Sequence, residues 1–178
     1  MADIDAVLVD NLKEAFRQAN RYLTLGLFSS LFIFALSLDP SAFSSSGNVS
    51  LPGGIPPLPV RYARIALAVI YWAAPFLADF SLARAERIGS KLQQSNLELL
   101  KAAATYPSII TTRVHGPRWI AVLVPPLLIG IAGWMTGLFS FNGRGLLYLG
   151  GAVFPYLALF GFRLRRAFGD LGPDGYGD

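Results

Sequence analysis

Cysteine is absent from this 178-residue chain, and histidine occurs once, at His115. The missing thiols exclude disulfides, thiolate nucleophiles, thiol redox chemistry and thiolate metal sites together. The single imidazole lies between Arg113 and Arg118, with no second histidine or carboxylate at ligand spacing. His115 therefore reads as an interfacial structural residue, and no metal site is expected. Charge is scarce too, at 15% of residues, of which only 11 are acidic. No base with an orienting partner can be assembled around any serine or threonine from so few groups, and HExxH, GxSxG and phosphate-cradling glycine loops are all missing. The chain is expected to be non-enzymatic and to carry no cofactor.

What is abundant is apolar surface. Hydrophobic residues make up 53% of the chain and the mean hydropathy is +0.48, outside the range of soluble domains. The charges gather in blocks between apolar runs, as they must in a chain that threads a bilayer repeatedly. The net charge of +4 and pI near 9.6 thus describe loops, and no nucleic-acid partner is expected. The fold class that follows is an all-α integral membrane protein: a four-transmembrane-helix bundle with an N-terminal amphipathic helix and a cytoplasmic helical stalk.

The organising stretch runs from Val60 to Pro107. Its first part, 60–83, is apolar enough to be the second span. Its continuation, 84–106, turns polar but keeps Ile88, Leu92, Ser95, Leu99, Ala102 and Tyr106 at alternating spacings of four and three. The pattern predicts a span that continues out of the bilayer as a stalk. The stalk residues Ile88, Leu92, Leu99 and Tyr106 form either a coiled-coil interface for self-association or a partner, or one side of a helix packed on the N-terminal helix or the bilayer.

Around this stretch the chain divides readily. Residues 1–21 place Ile4, Leu8, Leu12, Ala15, Phe16 and Ala19 at helical spacing against a charged arc, predicting an amphipathic surface helix. Four acidic residues precede the apolar run, unlike a signal peptide, so the first span, 22–38, is expected to stay attached. Asp39-Pro40 ends it. The Ser-, Gly- and Pro-rich segment 41–59 reads as a turn-filled loop; its Asn48-Val49-Ser50 would accept a glycan only in a eukaryotic lumenal setting. Pro107 and Gly116-Pro117 predict a return along the membrane surface, with Trp119 anchoring the third span, 119–139. Pro125-Pro126 should kink that span, leaving carbonyls for neighbouring helices to satisfy. A tight turn through Gly143-Arg144-Gly145 leads to the fourth span, 146–162, and a tail, 163–178.

With the N-terminus, the 81–118 segment and the tail on one side, that side holds twelve basic residues against Arg61, Arg64 and Arg144 on the other. The positive-inside rule places both termini and the stalk in the cytoplasm, which in a bacterium means the inner membrane. The two hairpins share no internal repeat, so an inverted-repeat transporter is not indicated.

Several residues stand out. Asp79 is the one acidic residue inside an expected span, serving as an ion or proton site, as a buried charge contact, or simply meeting headgroup water. Arg84, Arg87, Arg163, Arg165 and Arg166 form a basic collar suited to anionic lipid, though topogenic charge explains them equally. Gly133 and Gly137 make a GxxxG pair and Gly150-Gly151 a second small site for helix packing, first within the chain and alternatively between copies. The partners expected are the lipid bilayer and either further copies of the chain or a membrane complex. Two functions follow: an accessory or scaffolding subunit docking through its stalk, or a small homo-oligomeric channel or membrane-perturbing effector using Thr24, Ser29, Ser30, Ser37 and Asp79.

Overall fold

The computed structural model describes residues 2–38, 48–51, 55–95, 98–100, 115–137 and 143–159. These residues are helical apart from one small hairpin and a turn. The helices are α1 (Ala2–Leu38), α2 (Val60–Ser95), α3 (His115–Met135) and α4 (Gly143–Ala158), and the hairpin joins β1 (Asn48–Leu51) to β2 (Ile55–Pro59). Two of the helices contain stretches long and apolar enough to cross a membrane, Ile4–Leu38 and Ile65–Gln94.

The amphipathic segment and the first apolar run form one helix of 37 residues, about 55 Å long at ~1.5 Å per residue. Its buried stripe explains why. Leu12, Phe16, Ala19, Leu23, Gly26, Ser30 and Ser37 lie inside, and with half-buried Ile33 they keep four-three spacing straight across Arg21-Tyr22. Nothing breaks phase where the composition changes, so the first twenty residues extend the helix and pack along α2 instead of lying apart on a surface. The facing stripe of α2 is Pro75, Ala78, Leu82, Ala85, Gly89 and Leu92, all buried, in the same alternation. Two such seams make an antiparallel, coiled-coil-like pair. Its direction is fixed by cross-helix neighbours: Arg84 reaches Asn11, while Gly26 lies against Ala74.

The surface of this pair changes character halfway along. Toward one end α1 exposes Asp10, Arg17 and Arg21 and α2 exposes Arg84, Arg87 and Lys91. Toward the other, α1 exposes Leu25, Phe28, Leu31 and Phe32, and α2 exposes Ile65, Val69, Phe76 and Phe80. The apolar part of α2 from Tyr62 to Phe80 spans about 27 Å, close to the ~30 Å of a hydrocarbon core.

β1 and β2 pair antiparallel, with Asn48 opposite Pro59 and Leu51 opposite Ile55, inside the segment expected to be an irregular loop. The register shifts between Val49 and Leu51, opposite Pro56-Pro57, so these prolines fall at an irregularity where the ladder needs no regular donors. α3 starts at His115 and takes Gly116-Pro117 into its first turn, where a missing N–H costs nothing. It ends at Met135 with Gly137 in the left-handed region, φ 68°. There the Thr136 and Gly137 amides donate to Ala132 and Trp134 carbonyls at 3.0 and 3.1 Å, closing the last turn. Gly143-Arg144-Gly145 forms the first turn of α4 and not a loop. The apolar stretches of α3 and α4, Val122–Met135 and Leu149–Ala158, are shorter within the described residues.

Two cores result. Leu12, Phe16, Leu82, Ala85, Leu92 and Leu100 centre the larger, in the polar-surfaced half, which Val122 and Leu159 join. Tyr71, Ile129, Ala152 and Tyr156 form the smaller one, between α2, α3 and α4, with Ile33 of α1 against it.

Candidate functional site

Prolines organise the smaller core. Pro75 has no N–H, so the Tyr71 carbonyl one turn earlier loses its helical donor; Pro155 does the same to Gly151 on α4. Tyr156 Oη donates to the Tyr71 carbonyl at 3.4 Å. In return Tyr71 Oη donates to the Ala152 carbonyl, next to the one that Pro155 frees, at 2.7 Å. The two rings lie 5.0 Å apart with a 30° tilt. Tyr156 thus supplies the hydrogen bond that Pro75 removes, while Tyr71 bonds the carbonyl beside the one that Pro155 frees. Inside a bilayer such bonds contribute about 0.6 kcal/mol on average and up to about 1.7. Gly26 makes the room: a Cβ built there overlaps the Tyr156 hydroxyl and lies 3.1 Å from Ala74 Cβ. Three helices therefore meet at one point, and the chemistry available is structural, two neutral hydroxyls with both protons committed.

The second site lies where the surface changes. Asn11, Phe80, Arg84, Arg87 and Ile88 line an open cleft of about 520 Å³ between α1 and α2. Arg84 Nη2 donates to Asn11 Oδ1 at 3.3 Å. Among the described residues, neither Arg84 nor Arg87 has a carboxylate at ion-pairing distance. Glu14, one turn along α1, is instead held by Arg17 Nη1 at 2.7 Å. Asp79 is half-buried, does not line the cleft, and is engaged by another group.

The other singled-out residues scatter. Leu92 is buried in the larger core and Ile88 packs half-buried against it; Leu99 is half-buried, while Leu100 takes the inner position. Ile88 and Leu92, of the expected stalk seam, thus pack in the core that also holds Leu12 and Phe16 of α1. Gly133 is buried in α3, but Gly137 lies past the helix end and Gly150 faces open space, with nothing near an added Cβ. A Cβ built at Gly130 or Gly151 would meet the Leu149 side chain or the Trp72 ring at ordinary contact distances of 3.8 and 3.7 Å. Ser30 and Ser37 turn inward and donate to the Leu27 and Ile33 carbonyls of their own helix, each at 2.7 Å. Tyr106, Arg163, Arg165 and Arg166 lie outside the described residues. No group of three histidines or carboxylates that would hold a metal occurs among the described residues.

The tyrosine clasp went unread in the sequence because neither tyrosine has a local partner; Pro75 and Pro155, each within four residues of a tyrosine, were the available signal. Compared with family models, curated proteins and solved structures, the chain matches none.

Proposed function

We propose that the chain is a four-span integral membrane protein with both termini in the cytoplasm, acting as a non-enzymatic accessory or scaffolding subunit. Its docking element is the polar-surfaced half of the α1–α2 pair. The observation that carries this reading is that this half has its own apolar core yet leaves Ile4 and Val7 exposed, at 66% and 56%, at its far end. Adjacent apolar side chains one helical turn apart, remote from the apolar belt, are the kind of anchor a helical partner buries. With Ile88 and Leu92 packed in the core shared with α1, docking falls to the outer faces of the pair and its tip.

Four-span embedding draws support from the belt of Phe28, Phe32, Val69, Phe76, Leu127 and Phe154, all exposed, which would be expensive to keep in water. The channel alternative has thinner support, since the hydroxyls of Ser30 and Ser37 are spent within their own helix.

The test is the native mass of the complex extracted from its own membranes. Foreign subunits in fixed stoichiometry are expected, reduced at least about tenfold by Ile4→Asp/Val7→Asp while the chain stays in the membrane. A single-species homo-oligomer that conducts ions in liposomes would replace this reading with the channel.

A further inference from the structure

We infer that the cleft between α1 and α2 holds the phosphate of an anionic phospholipid, an inference that rests on the membrane-embedded reading above. The site stands where such a headgroup must lie. Phe80, 69% exposed, is the last large apolar residue on the outer surface of α2, and Arg84 follows one turn later. Arg84 and Arg87, three residues apart, share one side of the helix and face Asn11 on α1 across the cleft.

The donor set suits a phosphate. Two guanidinium groups offer planar forks of N–H donors matched to phosphate oxygens. Arg84 spends one of its donors on Asn11 Oδ1, which leaves the Asn11 amide nitrogen as a further donor at the same place. No carboxylate at ion-pairing distance neutralises either arginine among the described residues. The cleft, about 520 Å³ and open, admits a headgroup with its glycerol.

A free phosphate would use only this polar end. The lipid is favoured by what lies above it. Trp72, Phe76 and Phe80 follow one another at spacings of four along α2 and are all exposed; the Trp72 and Phe76 rings stack with centroids 6.4 Å apart. This aromatic row leads from the middle of the apolar belt down to Arg84, giving an acyl chain a continuous surface that ends at the cationic cleft. Phosphate and chain are thereby recognised together.

The experiment uses the full chain, purified in mild detergent, freed of lipid and offered equimolar phosphatidylglycerol and phosphatidylcholine, with bound lipids counted by native mass spectrometry. The wild-type chain is expected to prefer phosphatidylglycerol by roughly thirtyfold, the order set by two basic groups at a charged surface. Arg84→Gln/Arg87→Gln should bring the ratio near parity with the helical signal unchanged. Arg17→Gln/Arg21→Gln, which removes the same charge from α1, should keep the preference, and Arg84→Lys/Arg87→Lys should give an intermediate ratio. Parity in the wild type, or a preference that survives Arg84→Gln/Arg87→Gln, overturns the lipid site while leaving the membrane reading standing. Displacement of phosphatidylglycerol by millimolar inorganic phosphate would make this a free-phosphate site and also overturns it. A chain that stays soluble without detergent and takes up neither lipid removes the membrane reading itself.

Discussion

Gly26→Leu is expected to destabilise the packing of the helices measurably. The position faces Tyr156, which is fully buried, and Ala74, whose Cβ lies 3.1 Å from the place a Gly26 Cβ would occupy. An aromatic ring cannot bend out of the way, and moving it breaks the Tyr156 bond to the Tyr71 carbonyl that Pro75 leaves without its helical donor. Overpacking a filled site costs about 1–3 kcal/mol, more when the neighbours are rigid, which outweighs the ~1 kcal/mol of helix propensity gained on losing glycine. At about 2–4 °C per kcal/mol for a chain of this size, a ~3 kcal/mol overpacking cost less the ~1 kcal/mol gained lowers thermal unfolding in detergent by about 4–8 °C, and by more if the ring cannot shift. Gly26→Ala should show a smaller loss, largely recovered by adding Tyr156→Phe, because removing the hydroxyl removes the overlap. A Gly26→Leu variant as stable as wild type would mean that α1 does not approach Tyr156.

Leu92→Asp should release the polar half of the α1–α2 pair while leaving the apolar half in place. Leu92 is fully buried in the core that contains Leu12 and Phe16, and an unpaired carboxylate there costs about 3–5 kcal/mol, enough to open a local unit. The readout is limited trypsin digestion. Cleavage at Lys13, Arg17 and Arg21 should accelerate at least about tenfold, with the fragments beyond Tyr22 staying with the membrane. Gln93→Asp, one residue away and exposed, should leave the digestion pattern unchanged. Equal digestion of both variants would show that the N-terminal half of α1 does not rest on the C-terminal half of α2.

The apolar class, the long α2 and the burial of Leu92 were legible in the sequence because hydrophobic periodicity and length report them directly. The unity of α1 was not, and the reason is physical. In its first half the buried stripe is Leu12, Phe16 and Ala19, larger or more apolar than what surrounds it. In its second half Gly26, Ser30 and Ser37 take inner positions beside Leu23 and Ile33, while Phe28, Leu31 and Phe32 face outward. Packing among apolar surroundings favours small residues inside, so polarity inverts along one continuous stripe and the hydrophobic pattern appears to break at Tyr22. Gly133 and Gly137 have the GxxxG spacing, but Gly137 serves as a helix terminator, and spacing alone does not carry φ. The Tyr71–Tyr156 clasp joins residues 85 apart, a distance no local pattern spans. The arginine cleft was half visible: Arg84 and Arg87 stood out as cations, but Asn11 joins them only through the antiparallel register of α1 on α2.

The central claim is that one pair of helices passes between two media, and the absence of cysteine makes it directly measurable. Single cysteines at Asp10, Arg17, Arg87 and Lys91 in the polar half, and at Phe28, Phe32, Val69 and Phe76 in the apolar half, all replace exposed side chains. In open membrane fragments a charged maleimide should label the first four within minutes and leave the second four unlabelled until detergent denatures the protein. Labelling of positions 28, 32, 69 and 76 at the same rate as the others, in intact membrane, would contradict the account.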